Sequence, residues 1–508
     1  MPRTANPPIT LAHLFVLAFA SLGAVLWGAA LILGTEGIQF EQYLLLLGFW
    51  GLVSGLFLFT RIRENHMGVF YFPAFLTILI FIRFGLAPVA CFLDPQSLSS
   101  KFDGHYGFLL RALEYVIVGM LAFWAGCSLA SRKNSRGGPQ SADRPRERGH
   151  AEHSVLAWAV AIYAVVFATQ LYLLHAQLYA YTASWKAYYA NLSSLQVLGT
   201  VSTVGGATAL ILITIEKYFH PSDMPARLLF WMIFASQFAW GLASGMKGLA
   251  LQPFIIVAII SSLTERKFKK GWVVAALLGL IVLYPVSNNY RRLVLHQGGL
   301  TSAAEVASTG LQALARTQRD QAGTSGWLQK GWRMSVGRLD TLTSFGLVLF
   351  LGHRTDLLQG RERWWMIPYY PFVPRFIWNS KPILNKGARF SVALGYGDHT
   401  SMAVTYPGDL YAKYGLPGLL AGMFLLGVVS QWLANTLSGT LDKRRLFVYV
   451  AIFLNITDME IDSFSFWAGL IKGLVMLSVI ALVIYGPRRR APAAMAVRKR
   501  PVTQPCES

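Results

Sequence analysis

The chain is a series of apolar blocks, each roughly 18 to 25 residues long and bounded by charge or by Gly and Pro, and that is the length needed to cross a hydrocarbon core about 30 Å thick. Lipid offers no partner to bare backbone, so each block must close its own hydrogen bonds as a helix. Spans are predicted near 11–34, 41–60, 68–93, 108–130, 154–178, 197–217, 228–245, 247–264, 271–290, 406–434, 446–459 and 464–486. The expected fold is an all-α polytopic membrane protein of about twelve transmembrane helices. The run Leu11–Leu33 is too long for a cleaved signal region and is read as the first span. Composition agrees: only 14% of residues are charged, where a soluble domain carries about 25%.

A net charge of +21 would point to nucleic acid in a soluble protein. Here much of the excess flanks the spans, so it is read as topology, with anionic lipid headgroups as partners and no nucleic acid. Arg61-Ile62-Arg63, the segment 132–153, Arg266-Lys267, Lys443-Arg444-Arg445 and the tail 487–508 all fall on one side if both termini are cytoplasmic. The alternate connections, such as Thr35-Glu36-Gly37 and Asp458-Met459-Glu460-Ile461-Asp462, are poor in Lys and Arg. The organisation read from this is helices 1–9 in 1–290, a periplasmic loop at 291–405 and helices 10–12 in 406–486. Segments 132–153 and 487–508 read as disordered cytoplasmic pieces. Cys91, Cys127 and Cys506 lie far apart without CxxC spacing, which argues against a disulfide framework or a thiolate metal site.

The long loop is the anomaly. It faces outward yet carries fourteen basic residues, eleven of them Arg, from Arg291 to Arg389. Arginine grips phosphate with two parallel hydrogen bonds, so such a cluster suits a lipid-linked pyrophosphate; a basic surface for acidic headgroups is the plainer alternative. Leu342–Leu351 is too short to span and reads as an interfacial or re-entrant helix. Trp364, Trp365, Tyr369, Tyr370, Phe372, Phe376 and Trp378 suit either membrane-interface anchoring or stacking on sugar faces. Pro368, Pro371, Pro374 and Pro382 exclude a long regular helix there. Embedded charge is costly, so Arg83, Lys247, Arg291 and Arg292, all near the outer level, point to a shared anionic site.

Residues 371–418 carry a resemblance. Pro374-Arg375-Phe376-Ile377-Trp378-Asn379-Ser380-Lys381-Pro382 is followed by Gly408-Asp409-Leu410-Tyr411-Ala412-Lys413-Tyr414-Gly415-Leu416-Pro417-Gly418, and Ser244-Gly245-Met246-Lys247-Gly248 forms a separate turn. This resembles the bacterial O-antigen and oligosaccharide repeat-unit polymerases, and the span-and-loop layout resembles GT-C-type glycosyltransferases. The resemblance implies an inner-membrane glycosyltransferase that polymerises undecaprenyl-pyrophosphate-linked oligosaccharide units at the periplasmic face. It implies no metal and no cofactor, and a chain-length regulator or flippase as further partners. The spacing from Arg375 to Gly387 is one residue longer than the Arg-to-Gly interval that recurs in some of these polymerases.

Such a reaction needs fixed cations for the departing phosphate and a base for the acceptor hydroxyl. Arg291, Arg338 and Arg375 are expected on the phosphate, with Lys381, Arg389, Arg292, Lys247 and Arg83 in support. Asp409 is expected as the base, followed by His399 with Asp398, then His353. Trp378 is expected to stack on sugar, and Tyr411 to orient the base or bind sugar. A ligase transferring finished glycan would share this layout. A transporter or flippase of lipid-linked glycan fits less well, because charge gathers at one face rather than at the midplane of repeated halves.

Overall fold

The computed structural model describes residues 38–64, 68–92, 107–131, 152–179, 197–265, 270–297, 300–319, 335–352, 362–395 apart from 376, 383 and 385, 401–437 and 442–486. The expected first span and the two basic segments at 132–153 and 487–508 lie outside them, as do His353, Asp398 and His399.

The described residues are helical, without a strand. In chain order the helices are α1 (Ile38–Glu64), α2 (Phe72–Ile80), α3 (Ala87–Phe92), α4 (Gly107–Ser131), α5 (Glu152–His175), α6 (Gly206–Phe219), α7 (Met224–Ala243) and α8 (Lys247–Glu265). They continue with α9 (Lys270–Gln297), α10 (Ala303–Arg319), α11 (Leu342–Leu351), α12 (Lys386–Ala393), α13 (Tyr406–Leu437), α14 (Lys443–Ile456) and α15 (Ser463–Tyr485). A π-helical turn, Phe81–Leu86, joins α2 to α3, and a second, Val201–Gly205, leads into α6. Nine helices among the described residues are long and apolar enough to cross a membrane, from Phe40–Ile62 to Ser463–Tyr485. The chain is thus a multi-pass membrane protein by the length and composition of its helices. At 14 residues α14 is shorter than a full crossing.

Small residues set the closest helix pair. A Cβ at Gly126 of α4 would run into the Phe424 carbonyl, and one at Gly427 of α13 into the Phe123 carbonyl. Glycine at both places lets the two backbones touch, which in lipid replaces the missing hydrophobic driving force with dispersion contacts. The Cys127 thiol donates to the Gly427 carbonyl at 3.4 Å across this seam. Elsewhere the core is aromatic: Phe72 stacks on Tyr449 at 4.2 Å and on Phe453 at 5.6 Å.

α13 is not one rod. Gly415 has φ +63°, outside helical space, and reverses the chain. Residues 406–414 fold back along 416–437, so that the Tyr406 hydroxyl donates to the Gly422 carbonyl at 3.0 Å. Leu410 fills the space beside Gly422, and Tyr414 that beside Gly418. The expected span from 406 is thus two segments: the polar arm 406–414, with Asp409 and Lys413, folds back on the apolar helix that follows Gly415. α11 is a short helix, as expected, and it is largely buried, with Phe345 edge-on to Tyr411 at 5.9 Å.

The two ends of the bundle differ chemically. At one end the buried Lys443 pairs with Glu216 at 3.1 Å and lies 2.9 Å from His220 Nε2. At the other end lie the 244–246 turn, the C-termini of α9 and α14, the N-termini of α13 and α15, and the loop residues from 335 to 395.

Candidate functional site

The second end holds four charged groupings. The first centres on Glu460, in the 457–462 connection. Arg83 donates to one of its oxygens, and Arg338 to the other at 2.7 Å. Arg83 sits, buried, on the first π-helical turn, a kind of turn that recurs at functional sites. Its carbonyl accepts from the Thr341 N–H at 3.2 Å, which pins the end of the short helical stretch 335–339, with Arg338, against this π-helical turn. Arg338 keeps more than half of its side chain exposed, while Arg83 is buried. Burial, and then the neighbouring Glu460, push the Asp458 carboxyl above its usual range. Next to Glu460, Thr405 adopts φ +66°, a strained conformation for a β-branched residue. Its N–H donates to the Glu460 carbonyl at 3.2 Å, so the strain is held where the cations meet.

The second grouping is the 244–248 turn. Gly245, at φ +67°, turns its carbonyl toward α9, where Arg291 Nε donates to it at 2.8 Å and the Ser287 hydroxyl at 2.9 Å. Lys247 donates to Asn288 at 2.8 Å and lies 3.1 Å from the centre of the Tyr284 ring. Arg291 and Arg338 are near enough for their charges to act on Lys247, which joins this grouping to the first. Arg292, the next residue on α9, is exposed and stands apart.

The third is a buried cage. Lys386, on α12, lies 3.0 Å from Asp409, 3.1 Å from Glu362 and 3.3 Å from Asp462. Lys413 lies 3.2 Å from Asp409, and the Ser463 N–H donates to Asp409 at 2.9 Å. Burial pulls the Lys386 ammonium down, but the carboxylates around it, Asp409 and Asp462 foremost, outweigh burial and hold it above its ordinary value. Three carboxylates thus face two ammoniums. Glu362, whose carboxylate oxygens accept no hydrogen bond among the described residues, is the least satisfied member.

The fourth is an open cleft of about 600 Å³ lined by Trp365, Met366, Tyr369, Val373, Trp378, Ser380 and Pro382. Tyr369 lies 6.0 Å from Trp365 and 5.6 Å from Trp378, ring to ring, and Trp365 is largely exposed. Arg375 builds the wall of this cleft. Its two Nη atoms donate to the carbonyls of Lys381 at 3.0 Å and Pro382 at 3.1 Å. Lys381 is buried, donates to the Val373 carbonyl at 2.9 Å and lies 4.4 Å from the Tyr370 ring centre. Burial, and then the positive charges of Arg375 and Lys472, pull Lys381 down to about 8.

Arg83, Arg338, Arg291 and Lys247 are therefore brought together, and Arg375, Lys381 and Trp378 form a second set. Asp409 belongs to the cage. Arg389, half-buried on α12, makes no hydrogen bond or ion pair among the described residues. Tyr411 stacks on Tyr115 at 5.1 Å. Sequence reasoning passed over Glu460, Glu362, Asp462, Lys386 and Lys472. Glu460 and Asp462 were visible only as a connection lacking Lys and Arg.

Residues 160–441, more than half of the chain, match the family described as Domain of unknown function (DUF8712). The chain belongs to that family. The DUF8712 stretch contains Lys247, Arg291, Arg338, Arg375, Lys381, Lys386 and Asp409, whereas Arg83, Glu460, Asp462 and Lys472 lie outside it. No curated protein and no solved structure matches the chain.

Proposed function

We propose that this chain is a bacterial inner-membrane glycosyltransferase that joins undecaprenyl-pyrophosphate-linked oligosaccharide units at the periplasmic face. In this reading the chain crosses the membrane about twelve times with both termini cytoplasmic, and its layout is of the GT-C type. The observation that carries the reading is convergence. Cations from four separate stretches, Arg83, Lys247, Arg291 and Arg338, meet at one end of the bundle, which also holds an aromatic cleft wide enough for sugar rings. That end is opposite the basic connections that favour the cytoplasm.

Fixed guanidinium groups stabilise a departing diphosphate more than the intact bond, because negative charge grows on it as the glycosidic bond breaks. Arg338 is the best placed, since Glu460 holds one Nη and the side chain is otherwise open. Arg291 and Lys247 extend the same field. Proton acceptance from the sugar hydroxyl falls to a carboxylate. Glu460 stands at the cation layer and is about a quarter exposed. Asp409 is enclosed by Lys386, Lys413 and Ser463, so in this reading it fixes the fold-back of α13 rather than taking the proton. Trp365, Tyr369 and Trp378 offer flat faces for the glycan.

The test is the glycan profile of a deletion strain complemented with single variants. Loss of long polymer with retention of single repeat units, rescued by the native chain and not by Arg338→Ala, supports the polymerase. Polymer that accumulates on its lipid carrier means a ligase instead, and an unchanged profile rejects both.

A further inference from the structure

The stretch 363–382 is closed by its own bonds. Pro368, Pro371, Pro374 and Pro382 each fix one backbone torsion. Between them the chain runs in tight turns, with the N–H groups of Tyr370, Val373, Trp378 and Lys381 on carbonyls three or four residues earlier. Three side chains staple these turns together. The Tyr370 hydroxyl donates to the Pro382 carbonyl at 2.8 Å, the Arg375 Nη atoms to those of Pro382 and Lys381, and Lys381 Nζ to that of Val373 at 2.9 Å. Tyr370 also packs edge-on to Phe464 of α15, which seats the stapled loop on the bundle. This frame holds the open cleft of about 600 Å³, a size typical of small-molecule sites, which run to about 300–1,000 Å³. A guest therefore meets a site already formed, and little ordering is left to oppose binding.

The lining sets the chemistry of the guest. Trp365, Tyr369 and Trp378 bring together three aromatic rings, their planes tilted by 37° and 42° from one to the next. Met366 and Val373 add apolar side chains. The Trp378 indole N–H donates to the Ser380 hydroxyl at 3.1 Å, which keeps its own proton to donate. The Trp365 indole N–H and the Tyr369 hydroxyl make no hydrogen bond among the described residues. No charged side chain lines the cleft among those residues. The two cations of its wall, Arg375 and Lys381, are turned to backbone carbonyls. Glu362, the one acid described between 362 and 395, is buried against Lys386. A cluster of rings can hold an ammonium, but here two positive charges stand behind the wall and no carboxylate faces the guest, so a cation is repelled. A carboxylate would lose water and meet hydroxyls and an indole, with no cationic side chain in the lining. What remains is a neutral guest with a flat apolar face and hydroxyls at its edge. The C–H patch of a pyranose ring suits the negative face of an aromatic ring, and its hydroxyls suit Ser380, Tyr369 and Trp365.

We infer that the cleft of Trp365, Tyr369 and Trp378 is a subsite for a neutral pyranose, one bearing neither a carboxylate nor a free amine. The inference rests on the proposed function and names the sugar class of that same cleft. Acetamido and deoxy sugars belong to the class, and Met366 and Val373 give their methyl groups an apolar place to rest.

The full chain is placed in phosphatidylglycerol nanodiscs, free of choline and of sugar detergent. It is mixed with the hexose, N-acetylhexosamine, free hexosamine and hexuronic acid of the gluco, galacto and manno series, and with choline, and bound ligand is read by saturation-transfer NMR. In at least one series the hexose or the N-acetyl sugar is expected to bind about fivefold or more better than the amine and the acid, whose charge finds no partner. Trp365 is 65% exposed, so Trp365→Ala is expected to leave the fold intact and to weaken the neutral sugar about fivefold, since its ring is lost. Trp365→Phe keeps a ring and is expected to stay within about twofold of the native chain. Phe372→Ala removes an exposed ring outside the cleft lining and is expected to leave binding unchanged. Choline, an amine or an acid binding best overturns the inference, and so does the absence of any neutral-sugar binding. Neutral-sugar binding that survives Trp365→Ala unchanged overturns it as well. Equal loss from Trp365→Ala and Phe372→Ala makes the rings membrane anchors and overturns it too. No lipid carrier and no polymer enters the measurement. A chain that binds neutral sugar yet supports no glycan synthesis keeps this subsite and refutes the polymerase, whereas polymer made by a chain that binds no neutral sugar does the reverse.

Discussion

Lys381 and Lys386 are five residues apart and live in opposite electrostatic worlds. Lys386 is held by Asp409, Glu362 and Asp462 within 3.3 Å. Lys381 is equally buried, but the charges that act on it, Arg375 and Lys472, are both positive. The first lysine is spent on structure: it ties α12 to the fold-back of α13, the start of α15 and the loop at Glu362. The second is held without any carboxylate, by the Val373 carbonyl and the face of Tyr370. Burial alone does not tell a structural cation from a functional one; the sign of its neighbours does.

The contrast breaks most visibly by removing each ammonium in turn. Lys386→Met leaves Glu362, Asp409 and Asp462 buried with Lys413 alone, and is expected to cost about 3–5 kcal/mol of stability, because unpaired buried charge is worse than none. Thermal unfolding in detergent measures it. Lys381→Met removes a repelled charge and is expected to change stability by less than about 1 kcal/mol. Equal destabilisation by the two changes would erase the distinction. Adding Asp409→Asn to Lys386→Met removes one of the stranded carboxylates, so the double variant is expected to be more stable than the sum of the two single changes by about 1 kcal/mol or more.

pH sharpens the same comparison. Lys381, lowered to about 8, gives up its proton in the folded chain before the unfolded one, so the cost of burying its charge is expected to be relieved as pH rises from 8 toward 10.5. Lys386 is raised, so its stabilising contribution is complete below the ordinary lysine value of 10.5 and is lost only above it. Stability from the cage is therefore expected to hold across the window in which the cost at Lys381 is relieved. Arg375→Lys gives up one of two carbonyl bonds and is expected to cost about 1 kcal/mol, measured by unfolding. Full stability with abolished polymer in that variant would place Arg375 on the substrate rather than in the cleft wall.

The spans were legible because lipid leaves a chain few options: an apolar block of the right length must be a helix, and nine such helices stand in the described residues. The excess of Arg beyond the ninth span was legible too, as charge that topology did not explain. What balances it was not. Arg338 and Glu460 are 122 residues apart, and an ion pair between such positions leaves no periodicity to read. The same holds for Lys386 and its carboxylates, which come from three stretches on both sides of it. The reversal at Gly415 left its signs in the sequence, a polar arm with Asp409 and Lys413 followed by Gly415 and Pro417, but an acid and a base one helical turn apart also suit a straight helix end. Arg375 was expected to fork onto phosphate, and the fork is there, but in this structure it closes on two backbone carbonyls.

The central claim is that the cations at this end of the bundle hold a lipid-linked diphosphate while its glycan is transferred. Its most direct measurement is reconstitution of the purified chain in nanodiscs with an undecaprenyl-diphosphate-linked oligosaccharide, read for a glycan ladder together with released undecaprenyl diphosphate. The account predicts both products from the native chain and neither from a stably folded Arg338→Ala. A ladder undiminished in that variant, or no product from the native chain, would contradict it.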